Sequence, residues 1–323
     1  MAVYTQLSAE TLSELIAHYD VGDLVSAKGI AEGVSNSNWL IETTGSAANG
    51  TRFILTMYER RIDIAELPFF LGLLDHLSEQ NAPVPRTIHD RAGSASRKID
   101  GKAVALIEFL PGVSVDRPTP GQAHNVGAVL AQMHMAARDY GVQRSNDLGP
   151  DASLRVLSEC GADALASINP ALPIAIPQTQ RVVQHWPQDL PLSIIHSDLF
   201  PDNVLMLGDE VSGLIDFYFA CHDAMAYDLA VTHAAWSFVD AGRTYRPEIG
   251  QALLTGYESV RPLAKAERRA LPVLAQGAAM RFVSSRAQDW IETPADALVT
   301  RKDPMDFMRR FDFYARDGEE VFG

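Results

Sequence analysis

Eight residues in the second half of the chain, His196-Ser197-Asp198-Leu199-Phe200-Pro201-Asp202-Asn203, have the types and spacing that phosphoryl transfer needs. An Asp and an Asn five residues apart on one tight loop can serve two adjacent points. The Asp can take a proton from an attacking hydroxyl, and the Asn oxygen can ligate Mg²⁺. Apolar runs flank the loop, Leu192 to Ile195 before it and Val204 to Leu207 after it. A turn at Gly208-Asp209 then leads to a third run ending in Ile215-Asp216-Phe217, where Asp216 can supply a charged metal ligand. The pattern is H-x-D-x-x-x-x-N followed by D-F. A surface turn rich in Asp and Asn has the same composition. The hairpin that ends in Asp216 is what favours the chemical reading.

The elements that must position this loop follow from periodicity. Apolar residues at Leu12, Leu15, Ile16 and Tyr19 predict a first helix, with Ser8 as N-cap. Strands are predicted at Leu24 to Ile30, Asn38 to Thr43 and Arg52 to Tyr58. Between the first two lies Glu32-Gly33-Val34-Ser35-Asn36-Ser37-Asn38, whose small residues could set N–H groups and hydroxyls against phosphate. It lacks a full G-x-G-x-x-G, so it also reads as a plain turn. Asp63 to Gln80 predicts an amphipathic helix with Pro68 in its first turns. Glu66 there is either an acid favoured by the helix dipole or part of a nucleotide site. After Pro83-Val84-Pro85 come a hairpin and a buried strand, Val104 to Phe109, running into a connector, Glu108 to Gly112. The division expected is a first domain over 1–110, with five strands and one long helix, and a helical second domain over 111–323. Helices are predicted in the latter at 121–140, 154–168, 178–188, 228–239, 248–260, 265–290 and 304–315. His134, beside the apolar stripe of the first of these, reads as a packed or surface residue.

Composition narrows the partners. The 323 residues carry a net charge of −14, which argues against a nucleic-acid footprint. Cys160 and Cys221 form no metal-ligand spacing and read as buried, reduced thiols. No signal peptide is read at the start and no run has the length of a membrane span, so the expected place is the cytoplasm. After Asp216 there is no long activation segment and no A-P-E, which points to a small-molecule substrate.

The loop His196 to Asn203, the Ile215-Asp216-Phe217 strand end and Tyr227-Asp228-Leu229-Ala230 resemble the aminoglycoside-phosphotransferase and choline-kinase group. Within it the chain most resembles homoserine kinases of the protein-kinase-like type. That likeness runs through Gly33 to Trp39, Leu55-Thr56, Glu66 to Leu71 and Arg281 to Arg286. The resemblance implies an α+β, bilobal protein-kinase-like fold, with a small antiparallel-sheet N-lobe and a mainly helical C-lobe. It implies ATP and Mg²⁺ as cofactors and the hydroxyl of L-homoserine as acceptor, the step feeding threonine synthesis. Asp198 is then the catalytic base, and Asn203 and Asp216 are the metal ligands. Ser35, Asn36, Ser37, Glu66, Glu108 and Leu110 meet the nucleotide. His196 and Asp228 brace the loop.

A buried homoserine needs a partner for each of its charges. Arg281 or Arg286 suits the carboxylate. Asp223 could meet the ammonium, and Asp202 and His222 are further candidates for the substrate cleft. Many kinases carry a phosphate-gripping Lys where this chain has Thr56, and Arg60 or Arg61 could supply that charge instead. A monomer or homodimer is expected.

Three other readings compete. One is the same chemistry on an aminoglycoside, a sugar or choline, with Trp236, Trp290 and Tyr227 as a possible aromatic box. Another is a metal-dependent hydrolase using His196, Asp198, Asp216 and His222. The last is a nucleotide-binding module without turnover, for which Thr56 is the support.

Overall fold

Side-chain alternation along the central strands decides how the first part of the chain folds. In the computed structural model, residues 7–30, 36–59, 63–293 and 301–323 are described. Helix α1 (Ala9–Ile16) is followed by β1 (Leu24–Ile30), β2 (Asn36–Thr43), β3 (Arg52–Tyr58), α2 (Leu67–Glu79), β4 (Thr87–Ile88), β5 (Arg97–Ile99) and β6 (Lys102–Glu108). The strands form one antiparallel sheet in the order β1-β2-β3-β6-β4, with β5 also on β6. Phe53, Leu55, Met57, Val104 and Leu106 pack with Leu12, Leu15 and Ile16 of α1. Tyr58, Ala103, Ala105 and Ile107 pack with Leu67 and Leu71 of α2. The period of two thus gives the sheet a separate apolar cluster on each face.

Among the described residues the sheet has six strands where five were expected, and β4, just past Pro83-Val84-Pro85, is only two residues long. The helix expected from Asp63 begins as a 3-10 turn, Ile64–Glu66, and becomes α-helical at Leu67, with Pro68 in its first turn.

Residues Met1–Gly112 and Ser212–Tyr218 cluster as one unit, and Val113–Val211 with Phe219–Gly323 as another. The first unit therefore takes in 212–218, which a division at residue 110 leaves in the second. The second unit begins with α3 (Pro120–Ala136), α4 (Pro150–Cys160), α5 (Ala162–Ile168), α6 (Ala175–Gln184) and β7 (Leu192–Ile195). A hairpin of β8 (Val204–Leu207) and β9 (Glu210–Leu214) comes next, then β10 (Cys221–Ala224) antiparallel to β7. Helices α7 (Met225–Trp236), α8 (Pro247–Val260), α9 (Lys265–Glu292) and α10 (Met305–Phe322) complete it.

Helix starts follow local chemistry. Thr119 and Gln122 make a reciprocal capping box on α3, with Pro120 at its first position. The single helix expected over 154–168 is two, because Gly161 ends α4 with φ +79, a conformation open to glycine. The helix expected at 178–188 starts earlier, at Ala175, and the last one runs on to Phe322. Helix α7 ends at Trp236, and Phe238–Val239 pairs with Thr244–Tyr245. Among the described residues no helix is long and apolar enough to cross a membrane.

Helices α3 and α8 cross with their backbones in contact. A Cβ on Gly256 would lie 1.8 Å from the His124 carbonyl oxygen. The next residue, Tyr257, bonds to His134 of α3 across the same crossing, 2.9 Å away. Gly256→Ala must push the helices apart, with a predicted loss of about 1–3 kcal/mol of stability. Urea unfolding checks this, and an unchanged midpoint would contradict the close crossing.

Candidate active site

The loop His196–Asn203 leaves β7 and returns through a 3-10 turn, Pro201–Asn203, into β8. Its first half is buried and held by one carboxylate. Asp228, in the first turn of α7, accepts the His196 N–H at 2.7 Å on Oδ2 and the Ser197 N–H at 2.7 Å on Oδ1. His134 Nε2 lies 3.0 Å from Asp228 Oδ2, and its Nδ1 lies 2.9 Å from the Tyr257 hydroxyl. A carboxylate only accepts, so His134 Nε2 donates to Asp228. Arg261 donates to the same Tyr257 oxygen at 3.3 Å and to Glu267 at 2.7 Å. Burial works to raise the Asp228 carboxyl. The His134 hydrogen bond and the charges of His134 and His196 outweigh it, and the group lies below the ordinary carboxylate range.

The second half of the loop presents Asp198. Its side chain is 18% exposed, while Ser197 before it and Leu199 after it are buried. Asn203 donates from Nδ2 to the Asp198 carbonyl at 2.8 Å and to its Oδ2 at 3.4 Å. With the nitrogen turned to Asp198, the Asn203 oxygen is the end suited to a cation. Trp236 donates to the Leu199 carbonyl at 2.9 Å and fixes the turn from α7. Burial pushes the Asp198 carboxyl up. Arg281 and His196 pull it back, Asp202 adds to the push, and Lys302 opposes it.

Arg281 was expected to meet substrate, but its guanidinium is engaged within the loop. It donates to the Ser197 carbonyl and, at 2.9 Å, to the Ser197 hydroxyl, and lies 3.7 Å from Asp198 Oδ1. Arg286 is tied to α10 and the stretch before it, through the Asp303 carbonyl at 3.0 Å and Asp306 at 3.1 Å, over the Phe307 ring. Asp223, on β10, accepts from Asn146 at 2.7 Å and from its neighbour's N–H at 2.6 Å. Asp202 is exposed in the 3-10 turn, and its charge reaches Asp198. The suggested aromatic box does not form as a free surface. Trp236 and Tyr227 are buried, Tyr227 against Trp186, and Trp290 stacks with Arg301. Among the described residues no three His, Cys, Asp or Glu side chains are grouped to hold a metal, which leaves the hydrolase reading without its ligand set.

In the first unit, Thr56 faces α2 on the sheet, and its hydroxyl donates to Asn38 Oδ1 at 2.8 Å. Tyr218, two residues past Asp216, stands edge-on to Tyr58 at 5.6 Å and donates to its hydroxyl at 3.2 Å. Burial raises both phenols, and the Asp216 charge adds to the shift of each. Asp216 itself takes a left-handed φ of +66, an uncommon state for a residue other than glycine. Ser37 donates to Glu59 at 2.8 Å, and Lys102 pairs with the same Glu59. Asn36 is buried, with no partner for its Oδ1 among the described residues. Glu66 closes the turn before α2, with its N–H on the Asp63 carbonyl at 2.9 Å. Glu108 ends β6 and meets Arg86 at 3.7 Å, and Leu110 follows in the extended connector. Ser35, Arg60 and Arg61 lie outside the described residues.

Sequence reasoning left His134 as a packed or surface residue and did not single out Tyr218 or Lys302. No spacing marks the first as a partner of Asp228, 94 residues away. An acid that braces a loop from a helix needs a donor on its far side, and that is the signal that could have found it.

The profile of the APH phosphotransferase enzyme family matches residues 26–263. The homoserine kinase of Gluconacetobacter diazotrophicus is 49% identical over 317 residues, covering 97% of each chain. That of Gluconobacter oxydans is 48% identical, over 96% of this chain and 97% of its own. The chain belongs to the APH phosphotransferase family, in the branch of the homoserine kinases. An amicoumacin kinase solved with AMP-PNP and Ca²⁺ superposes with a TM-score of 0.70 at 14% identity, covering 97% of this chain and 94% of its own. That likeness establishes the protein-kinase-like α+β fold for this phosphotransferase.

Asp228→Asn replaces one of two accepting oxygens in this phosphotransferase by a donor. At least one buried N–H then loses its partner, at a predicted cost of about 1–3 kcal/mol. Urea unfolding should show this loss. A variant as stable as the parent would remove Asp228 as the loop's anchor.

Proposed function

We propose that this chain transfers the γ-phosphoryl group of ATP to the side-chain hydroxyl of L-homoserine, giving O-phospho-L-homoserine. The observation that carries the reading is identity of nearly half with homoserine kinases along 97% of both chains. The loop geometry supports it from the chemical side. Asp198 orients the acceptor hydroxyl and takes its proton as the O–P bond forms. Asn203 and Asp216 offer oxygen donors of the hard kind that would suit Mg²⁺. When bound, the metal neutralises charge on the transferred group. The chain's own work is positioning and electrostatics.

For the nucleotide, the connector from Glu108 through Leu110 offers backbone groups beyond the last strand pair. Asn36 and Ser37, at the start of β2, are the described residues offered to the phosphates. For homoserine, the ammonium is assigned to Asp202, exposed beside Asp198. Asp223, Arg281 and Arg286 are each engaged by side chains or backbone of the chain itself, which weighs against direct contact with substrate. Thr56 gives a neutral hydroxyl where other kinases place an ammonium, so phosphate charge must be met by the metal, by backbone groups or by Arg60 or Arg61.

A coupled ATP assay with Mg²⁺ over homoserine, choline, kanamycin and simple amino alcohols tests the reading. Homoserine should give the highest kcat/KM, and preference for another alcohol would overturn it. Asp198→Asn should lower kcat by about two to four orders of magnitude with ATP binding kept. Near-normal turnover would remove Asp198 from the role of base.

A further inference from the structure

We propose that Arg281 is the positioning residue that aims Asp198, and that it does not bind the substrate carboxylate. The inference rests on the proposed role of Asp198 as base.

The peptide joining Ser197 to Asp198 is held at both ends. Its carbonyl accepts from Arg281, and its N–H donates to His196 Nδ1 at 3.2 Å. That plane fixes the direction in which the Asp198 Cα–Cβ bond leaves the chain. Ser197 is fully buried and has φ +68, a left-handed state that a non-glycine residue keeps only when its surroundings over-determine it. Its N–H is taken by Asp228 at 2.7 Å, and its hydroxyl accepts from Arg281 at 2.9 Å. Arg281 therefore supplies two of the bonds that hold the residue before the base.

The guanidinium is itself fixed. Arg281 is 4% exposed and lies against the rings of Phe282 at 4.8 Å and Phe219 at 5.4 Å. Its Nη2 stands 3.7 Å from Asp198 Oδ1, close enough to set the carboxylate's rotation and too far for a full hydrogen bond. Buried, with Nη1 on Ser197 and Nη2 toward Asp198, the guanidinium is turned to the loop. A lysine offers a point charge in place of the fork and cannot span the Ser197 carbonyl, the Ser197 hydroxyl and Asp198 together.

The test compares Arg281→Lys, Arg281→Gln and Arg281→Ala with the parent by steady-state kinetics in homoserine and in ATP. Loss of aim predicts a fall in kcat of about 10²-fold in the Ala and Gln variants. KM for both substrates should stay within about twofold. Arg281→Lys should recover only part of kcat. Added guanidinium ion should raise kcat of the Ala variant without changing its KM. Thermal unfolding and nucleotide binding confirm that each variant is folded, and a variant that does not fold leaves the split to be read in the Lys and Gln forms. A rise in homoserine KM of about tenfold or more with kcat kept would overturn the proposal and return Arg281 to the substrate. Unchanged kcat in all three variants would also overturn it. The parent assayed alongside separates the claims: failure of the parent on homoserine counts against the substrate reading, and failure of the split alone counts against the clamp.

Discussion

One buried carboxylate carries the architecture of the loop. Asp228 accepts from two consecutive backbone N–H groups and from His134, and each of these donors is buried. An ionised group in such a place is tolerated only when its oxygens are satisfied. The three donors satisfy them, and in return the carboxylate fixes the backbone at the entry to the loop. The line continues from His134 through Tyr257 to Arg261 and Glu267, so the loop is tied to α3, α8 and the start of α9. The close crossing at Gly256 lets the His134–Tyr257 bond form. Packing of helices far from the chemistry thus sets where Asp198 can point.

A second set of contacts works within the first unit. The alternation of β3 puts Thr56 and Tyr58 on one face, and Tyr218 joins them directly after Asp216. A neutral hydroxyl network occupies a position where a lysine would bring charge. Asp216 takes a left-handed backbone state near this network, and its charge adds to the rise of both phenols.

Much of this was legible from residues alone. The loop spacing, the hairpin before Asp216 and the strand alternation are local signals, and the elements they predict are present. Edges were less legible. A break at Gly161 and a two-residue β4 have no periodicity to announce them, and the return of 212–218 to the first unit depends on long-range packing. Partners across the fold were least legible. His134 looks like any residue beside an apolar stripe until α7 brings Asp228 to it. Arg281 and Arg286 have the right chemistry for a substrate carboxylate, but the fold supplies each with partners from its own chain. Charge type can be read from sequence, whereas which charge is already answered depends on tertiary structure.

The central claim is that the phosphoryl group ends on the homoserine oxygen. Phosphorus NMR of the purified protein with ATP, Mg²⁺ and L-homoserine tests it most directly. The account predicts a growing phosphomonoester signal matching O-phospho-L-homoserine, equal in amount to the ADP formed. Release of inorganic phosphate alone, or no loss of ATP, would contradict it.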